Sequence, residues 1–209
     1  MTEDDAHSGV VFVVDDDASV HNALKELFES VDLKVIVLKS PAQFLRYKIP
    51  DESCCIVLDV RMPEMSGLQL QEELAKAGMQ VPIVFLTAHG DIPMAVAAMK
   101  AGAVDFLVKP FRTQDLLDSV FAALERDSAR RNQQESLSTL RELFSSLTSR
   151  EKEVLVLVAS GRPNKQIAAE LGISEVMVKV HRAHGMRKMQ AKSVAALVRK
   201  TDLLNNAAA

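Results

Sequence analysis

Residues 10–19 read VVFVVDDDAS, an apolar run of strand length that stops at three consecutive carboxylates. Four of its five apolar residues are valine, and β-branched side chains suit a pleated, buried segment. Carboxylates this close repel one another, so three of them at the end of a buried strand imply a cation or separate tasks. Four further runs repeat the theme: KVIVL at 34–38, CCIVLDV at 54–60, PIVFLTA at 82–88 and DFLVKP at 105–110. Helix-period stretches lie between them, at about 18–30, 41–48, 66–77, 92–101 and 113–125. Near-continuous apolar strands alternating with helices predict an open, doubly wound α/β domain with a parallel sheet covered on both faces. In such sheets ligands bind beyond the carboxyl ends of the strands, where the strand order reverses.

The polar residues that end these runs therefore matter together. Asp15 and Asp16 follow the first run, Asp59 ends the third, Thr87 closes the fourth and Lys109 the fifth. Taken singly, each is an ordinary strand-end polar residue. Converging on one crevice, they form a set of oxygen ligands that suits a hard ion such as Mg²⁺, which leaves positions open for a phosphate. Lys109 then supplies a point charge for a phosphoryl oxygen and Thr87 a hydrogen-bond donor. Asp17 is expected to favour the start of the first helix instead, where a carboxylate meets the positive end of the dipole.

Composition sets the frame. A chain of 209 residues accommodates two small domains, and 48% hydrophobic with 25% charged residues is ordinary for a soluble globular protein. No apolar stretch approaches the ~18 residues that span a bilayer, and the acidic start MTEDDAHSG lacks a signal-peptide core. Cys54 and Cys55 are adjacent, which disfavours a disulfide between them, so a cytoplasmic protein with reduced thiols and no membrane partner is expected. Residues 1–125 carry 20 Asp and Glu against 10 Lys and Arg, a net of −10, whereas residues 148–200 carry 11 Lys and Arg against 4 Glu, a net of +7. An acidic front half and a basic back half point to two domains, the second meeting a polyanion.

Beyond Leu124 the strand pattern stops. Residues 125–143 are polar with sparse Leu and no Gly or Pro, and read as a solvated helical extension with little core. Helical periodicity alone then resumes, at about 149–160, 164–171, 175–189 and 192–203, with residues 205–209 expected to fray. Thr148 or Ser149 with Glu151 or Glu153 offers capping-box chemistry, Gly161 and Gly172 end helices, and Ser174 caps the next. Two short helices joined by LGIS form a helix-turn-helix for double-stranded DNA. In the helix after Ser174, Val176, Lys179, Val180 and Ala183 share the face that enters a major groove, and Val178, His181, Gly185 and Met189 share the face that packs. His181 accordingly reads as a packed histidine rather than a base reader or metal ligand. Lys165, Arg182, Arg187 and Lys188 are candidates for phosphate contacts.

VVDDD, LDVRMPEMSG, FLTAHGD and AMKAGAVDFLVKPF, in order over about residues 9–125, resemble the receiver domain of two-component response regulators. The resemblance implies a flavodoxin-like five-stranded parallel sheet and Asp59 as phosphoacceptor for a sensor histidine kinase. It implies Mg²⁺ held by Asp16, Asp59 and the Arg61 backbone carbonyl, with Asp15 acting partly through water. Pro63 and Gly67 shape the loop after Asp59, Ala88 leaves access to the acyl phosphate, and Lys109–Pro110 matches the family's cis peptide. Phe106 holds the switch-aromatic position, turning inward as Thr87 moves toward the phosphoryl group.

LTSREKEVL, NKQIAAELGIS and VKVHR, within about residues 145–206, resemble the LuxR-type helix-turn-helix of NarL/FixJ response regulators. That resemblance implies base contacts at Lys179 and Val180, a homodimer formed on phosphorylation with the last helix as a dimerisation element, and RNA polymerase as a further partner. It divides the chain into a receiver at 1–125, a helical linker at 126–144 and an all-α DNA-binding domain at 145–209, a regulator rather than an enzyme. Two residues depart from the pattern. Ala183 stands where relatives can carry a base, which thins base readout. Gly185 stands where an aliphatic side chain is usual, so a gap is expected there and Gly185→Ile is expected to raise the thermal midpoint. Two other readings compete: an aspartyl-nucleophile phosphatase, whose Asp-x-Asp motif belongs after the first strand, and a DNA-binding protein whose unphosphorylated receiver serves only as a dimerisation module.

Overall fold

The computed structural model describes residues 9–88 and 90–206. Five strands, β1 (Val10–Val14), β2 (Lys34–Leu38), β3 (Cys54–Leu58), β4 (Ile83–Thr87) and β5 (Asp105–Val108), form one sheet of order β2-β1-β3-β4-β5. Every pairing is parallel, and Val14 lies level with both Leu38 and Leu58. The helices between the strands are α1 (Ala18–Glu29), α2 (Pro41–Arg46), α3 (Gly67–Lys76) and α4 (Ile92–Lys100). They are followed by α5 (Thr113–Ser145), α6 (Ser149–Ala159), α7 (Asn164–Leu171), α8 (Glu175–Lys188) and α9 (Val194–Asn206). Among the described residues, no helix is long and apolar enough to cross a membrane. Of residues 205–209, expected to fray, Asn205 and Asn206 close α9 as helix, and 207–209 lie outside the described residues.

Alternate residues of each strand face opposite sides of the sheet, and the core divides accordingly. Phe12, Val14, Ile56, Leu58 and Phe85 pack with Phe44 of α2, Leu70 and Leu74 of α3 and Ala98 of α4. Val11, Val13, Val57, Val84 and Leu86 pack with Leu24 and Phe28 of α1 and with Leu116, Val120 and Ala123 of α5. The order reverses beside β1, so the crevice beyond β1 and β3 is where the fold places a site.

The chain splits into two compact units, the first ending at Arg131 and the second beginning at Asn132. The polar stretch after Leu124 is helical, as expected, but it is not merely solvated. Asp127 is fully buried in the first unit, and Leu140 is buried in the core of the second with Val154, Leu155, Ile167, Val178 and Met189. A sparse apolar pattern concealed this because one buried carboxylate and one leucine leave no periodic trace.

Caps fall where turn chemistry demands them. Asp17 accepts from the Ser19 N–H at 2.8 Å and caps α1, as its place before the helix suggested. Thr148 and Glu151 complete a capping box on α6, and Gly172 adopts φ +63° to end α7, a backbone that glycine takes without steric cost.

Candidate functional site

The two central strands deliver their acids side by side. Asp15 extends β1, its N–H donating to the Leu38 carbonyl at 3.3 Å, and Asp59 extends β3, donating to the Val14 carbonyl at 2.9 Å. Carboxylate oxygens of Asp15, Asp16 and Asp59 all lie within 4.8 Å of one another, the one group of this kind among the described residues. Asp15 is buried, Asp59 half-buried and Asp16 exposed. Three oxygen donors at that separation, one of them open to water, fit a hard divalent cation that keeps part of its hydration shell.

The basic and hydroxyl partners arrive from the neighbouring strands. Lys109 donates from its N–H to the Thr87 carbonyl at 2.8 Å, and its Nζ reaches Asp15 Oδ2 at 3.0 Å. The lysine thus already offsets one acid. Thr87 is buried at the end of β4, and the Lys109–Pro110 peptide is cis. Burial, and next the charge of Asp15, push the Asp59 carboxyl above its usual range, against the opposing pull of Lys109. The Val60 N–H donates to Asp59 Oδ1 at 2.8 Å. Arg61 follows in the loop after β3 with its side chain exposed. That loop closes tightly: a Cβ on Gly67 would stand 2.3 Å from the Asp59 carbonyl oxygen, so only glycine fits there. Pro63 accepts from the Met65 N–H within the same loop, and Ala88 is exposed beside Thr87.

Phe106 is half-buried, its ring 5.9 Å from that of Phe85. A residue that sequence reasoning passed over lies against it: a Cβ on Gly90 would come 2.8 Å from Phe106 Cε1 and 2.7 Å from Val108 Cγ2. The loop after β4 therefore rests directly on the aromatic ring, and the Gly in FLTAHGD was the available signal. His21 is a second omission. It is buried on α1, and its Nε2 donates to the Asp15 carbonyl at 2.6 Å, holding the acid-bearing turn from behind.

Asp127 is the third. Its carboxylate accepts from the Cys54 N–H at 3.0 Å, from Arg130 Nη2 at 2.6 Å and from Arg131 Nε at 2.6 Å. Arg131 also donates to the Pro50 carbonyl at 3.2 Å. Burial works against the charged form, but the two guanidinium groups and the Cys54 N–H outweigh it and hold this carboxyl below the usual range. Cys54 begins β3, the strand that Asp59 follows, so the cluster ties the extension of α5 to that strand. Burial, with the negative charge of Asp127, pushes the Cys54 thiol up to about 11, and burial raises Cys55 further, leaving both as protonated core groups.

The second unit presents a separate surface. On α8, Val176, Lys179, Val180 and Ala183 are exposed, while Val178 and Gly185, with Met189 at its C-cap, are buried and His181 is half-buried. Lys165 and Arg187 are exposed as well. Arg182 Nη1 donates to Asn164 Oδ1 at 3.3 Å, bracing α8 against the start of α7. Lys188 Nζ bonds Glu151 Oε2 at 2.7 Å and the Ser146 carbonyl at 3.2 Å, so in the free chain its charge is paired with a buried acid. Lys188, and then the Thr148 N–H, hold the Glu151 carboxyl down at about 2. Gly185 does not leave the expected gap. A Cβ there would stand 2.9 Å from Leu155 Cγ and Cδ1, so the glycine is a close approach between α8 and α6.

Comparison with known proteins agrees with both halves. Residues 11–121 match the response regulator receiver domain, and residues 145–201 match bacterial regulatory proteins of the luxR family. The chain is 52% identical over 195 residues to nodulation protein W of Bradyrhizobium diazoefficiens, covering 93% of this chain and 86% of that one. It is 47% identical over 199 residues to response regulator protein TodT of Pseudomonas putida strain F1, covering 95% and 88%. Among solved structures, response regulator StyR superposes with a TM-score of 0.86 at 50% identity, over 93% of this chain and 98% of that one. With an acid-lined receiver sheet followed by a LuxR-type helix-turn-helix, the chain belongs to the NarL/FixJ family of DNA-binding transcriptional response regulators.

Proposed function

We propose that Mg²⁺-dependent phosphorylation of Asp59 by a sensor histidine kinase switches homodimerisation, and with it DNA binding and recruitment of RNA polymerase, in the cytoplasm. The observation that carries this reading is the meeting of Asp15, Asp16 and Asp59 within 4.8 Å, with Lys109 on Asp15. Asp15, Asp16, Asp59 and the Arg61 carbonyl would hold Mg²⁺, which would supply positive charge against that of the transferring phosphoryl group. A carboxylate oxygen of Asp59 attacks the phosphorus of a phosphohistidine, the P–N bond breaks, and the imidazole nitrogen leaves with the bonding pair. Burial beside Lys109 orients the Asp59 carboxylate and strengthens its interactions with the incoming charge. Lys109, drawn from Asp15, and the Thr87 hydroxyl then bind phosphoryl oxygens. That pull on Thr87 frees space for Phe106 to turn inward, and the surface of α4 and β5 is remodelled as a two-state element. In the second unit, Lys179 and Val180 with Val176 and Ala183 meet base edges, while Lys165, Arg182 and Arg187 position the helix on the phosphates.

The test is incubation with Mg²⁺ and either acetyl phosphate or beryllofluoride, reading dimerisation and DNA affinity, with Asp59→Asn as control. Both should rise for the parent chain and stay flat for Asp59→Asn. No Mg²⁺-dependent change in either would overturn the switch.

A further inference from the structure

We propose that α8 reads its operator mainly through the C5-methyl groups of thymines, with Val176, Val180 and Ala183 as the contact surface, Met177 at its edge, and Lys179 as the principal hydrogen-bonding reader. This deepens the DNA-binding reading and rests on it. Val176 is 67% exposed, Met177 42% and Val180 38%, three large apolar side chains on one short helix whose opposite face is buried. Val176, Val180 and Ala183 stand at i, i+4 and i+7, so they form one stripe from the first turn to just past the middle of the helix, whose N-terminal residues a helix-turn-helix presents to base edges.

The polar inventory of that stripe's span is thin. Between Val176 and Ala183 there is no Asn, Gln or Asp, and the one Arg, Arg182, turns its guanidinium to Asn164. Ser174 is occupied as the helix cap, accepting from the Met177 N–H. Bidentate recognition of guanine by arginine or of adenine by an amide is therefore absent from this stretch, and Lys179 remains as the exposed donor. In the major groove the one apolar feature of the base edges is the thymine methyl group. The surrounding sequence, residues 148–200, carries a net +7 and supplies the sequence-independent attraction that brings an apolar stripe to DNA.

The experiment uses the full chain with Mg²⁺ and beryllofluoride. Duplexes are first selected from a random pool, and each half-site thymine in the bound sequence is then replaced by uracil, which lacks only the methyl. Each contacted position should lose roughly two- to fivefold in affinity, the scale set by burying one methyl group, with the salt dependence unchanged. Val176→Ala and Val180→Ala, exposed positions whose truncation leaves the fold intact, should each abolish the uracil effect at one position. Duplexes bound equally well with uracil, or variants that keep the parent's uracil sensitivity, would overturn the inference while leaving DNA binding in place. A chain that binds no duplex would instead overturn the DNA-binding reading together with this one.

Discussion

Replacing Asp127 by alanine tests whether the receiver ends where its strand pattern ends. The side chain is 0% exposed, and its removal takes the carboxylate acceptor from the Cys54 N–H, Arg130 and Arg131. An unsatisfied buried N–H costs about 1–3 kcal/mol, and breaking a fully buried pair costs about 3–5 kcal/mol. Arg130 and Arg131 keep 26% and 23% of their side-chain surface in water, which meets part of the charge cost. A loss of about 3 kcal/mol follows, at the low end of the buried-pair range. Asp127→Asn keeps an acceptor for Cys54 but gives up charge-assisted bonds, so about half that loss is expected. Tyr47 makes the assay simple: it is the single tyrosine of a chain without tryptophan, and its ring lies 5.4 Å from that of Phe12 in the receiver core. Urea unfolding of the full chain followed by tyrosine fluorescence should show the midpoint fall by about 1.5 M, for a slope of ~2 kcal/mol/M. The pH dependence has a definite sign. A carboxyl whose folded pKa lies below its unfolded value stabilises above the unfolded value and loses that contribution as pH falls through the folded one. The gap between parent and Asp127→Ala should therefore be full at pH 7 and shrink below about pH 4. Coincident midpoints at pH 7, or a gap that widens in acid, would refute the reasoning.

Three more predictions concern the second unit. Gly185→Ile should lower the thermal midpoint, because overpacking against Leu155 costs about 1–3 kcal/mol and exceeds the ~1 kcal/mol gained in helix propensity; Leu155→Ala should then cost less in that background than in the parent, and a higher midpoint for Gly185→Ile would contradict the close approach. Lys165→Ala should weaken binding to all duplexes alike and reduce the slope of log affinity against log salt by about 1, as read by titration at several salt concentrations. Lys188→Ala should leave that slope unchanged and instead flatten the acid limb of stability. Glu151 is held at about 2 against an ordinary 4.5, so it stabilises above the ordinary value, and that contribution fades as pH falls from there toward 2; an acid limb as steep as the parent's would count against the pairing.

Much of the fold was legible because it depends on local pattern. Valine-rich runs declared the strands, and the polar residues ending them, Asp15, Asp16, Asp59, Thr87 and Lys109, were marked as convergent, since a doubly wound sheet brings those ends together. The helices of the second unit were equally open, because their caps are short-range chemistry: Thr148 with Glu151, Gly172, Ser174. The site's finer wiring was less so. That Lys109 rests on Asp15, that His21 holds the Asp15 carbonyl and that Gly90 lies on Phe106 are contacts between elements that no periodicity encodes.

The order of elements, the parallel sheet, the convergence of acids at the ends of β1 and β3, and the two faces of α8 follow from local pattern alone. Hydrophobic period and turn chemistry suffice for these, because each residue's preference depends on near neighbours. What Asp127, Lys188 and Gly185 meet depends on long-range packing. Asp127 meets a backbone N–H 73 residues away in sequence and Lys188 an acid 37 away, while Gly185 marks the approach of α8 to Leu155 on α6. A charge reads as solvated, and a glycine as a gap, until the fold supplies the buried partner that desolvation and close packing require.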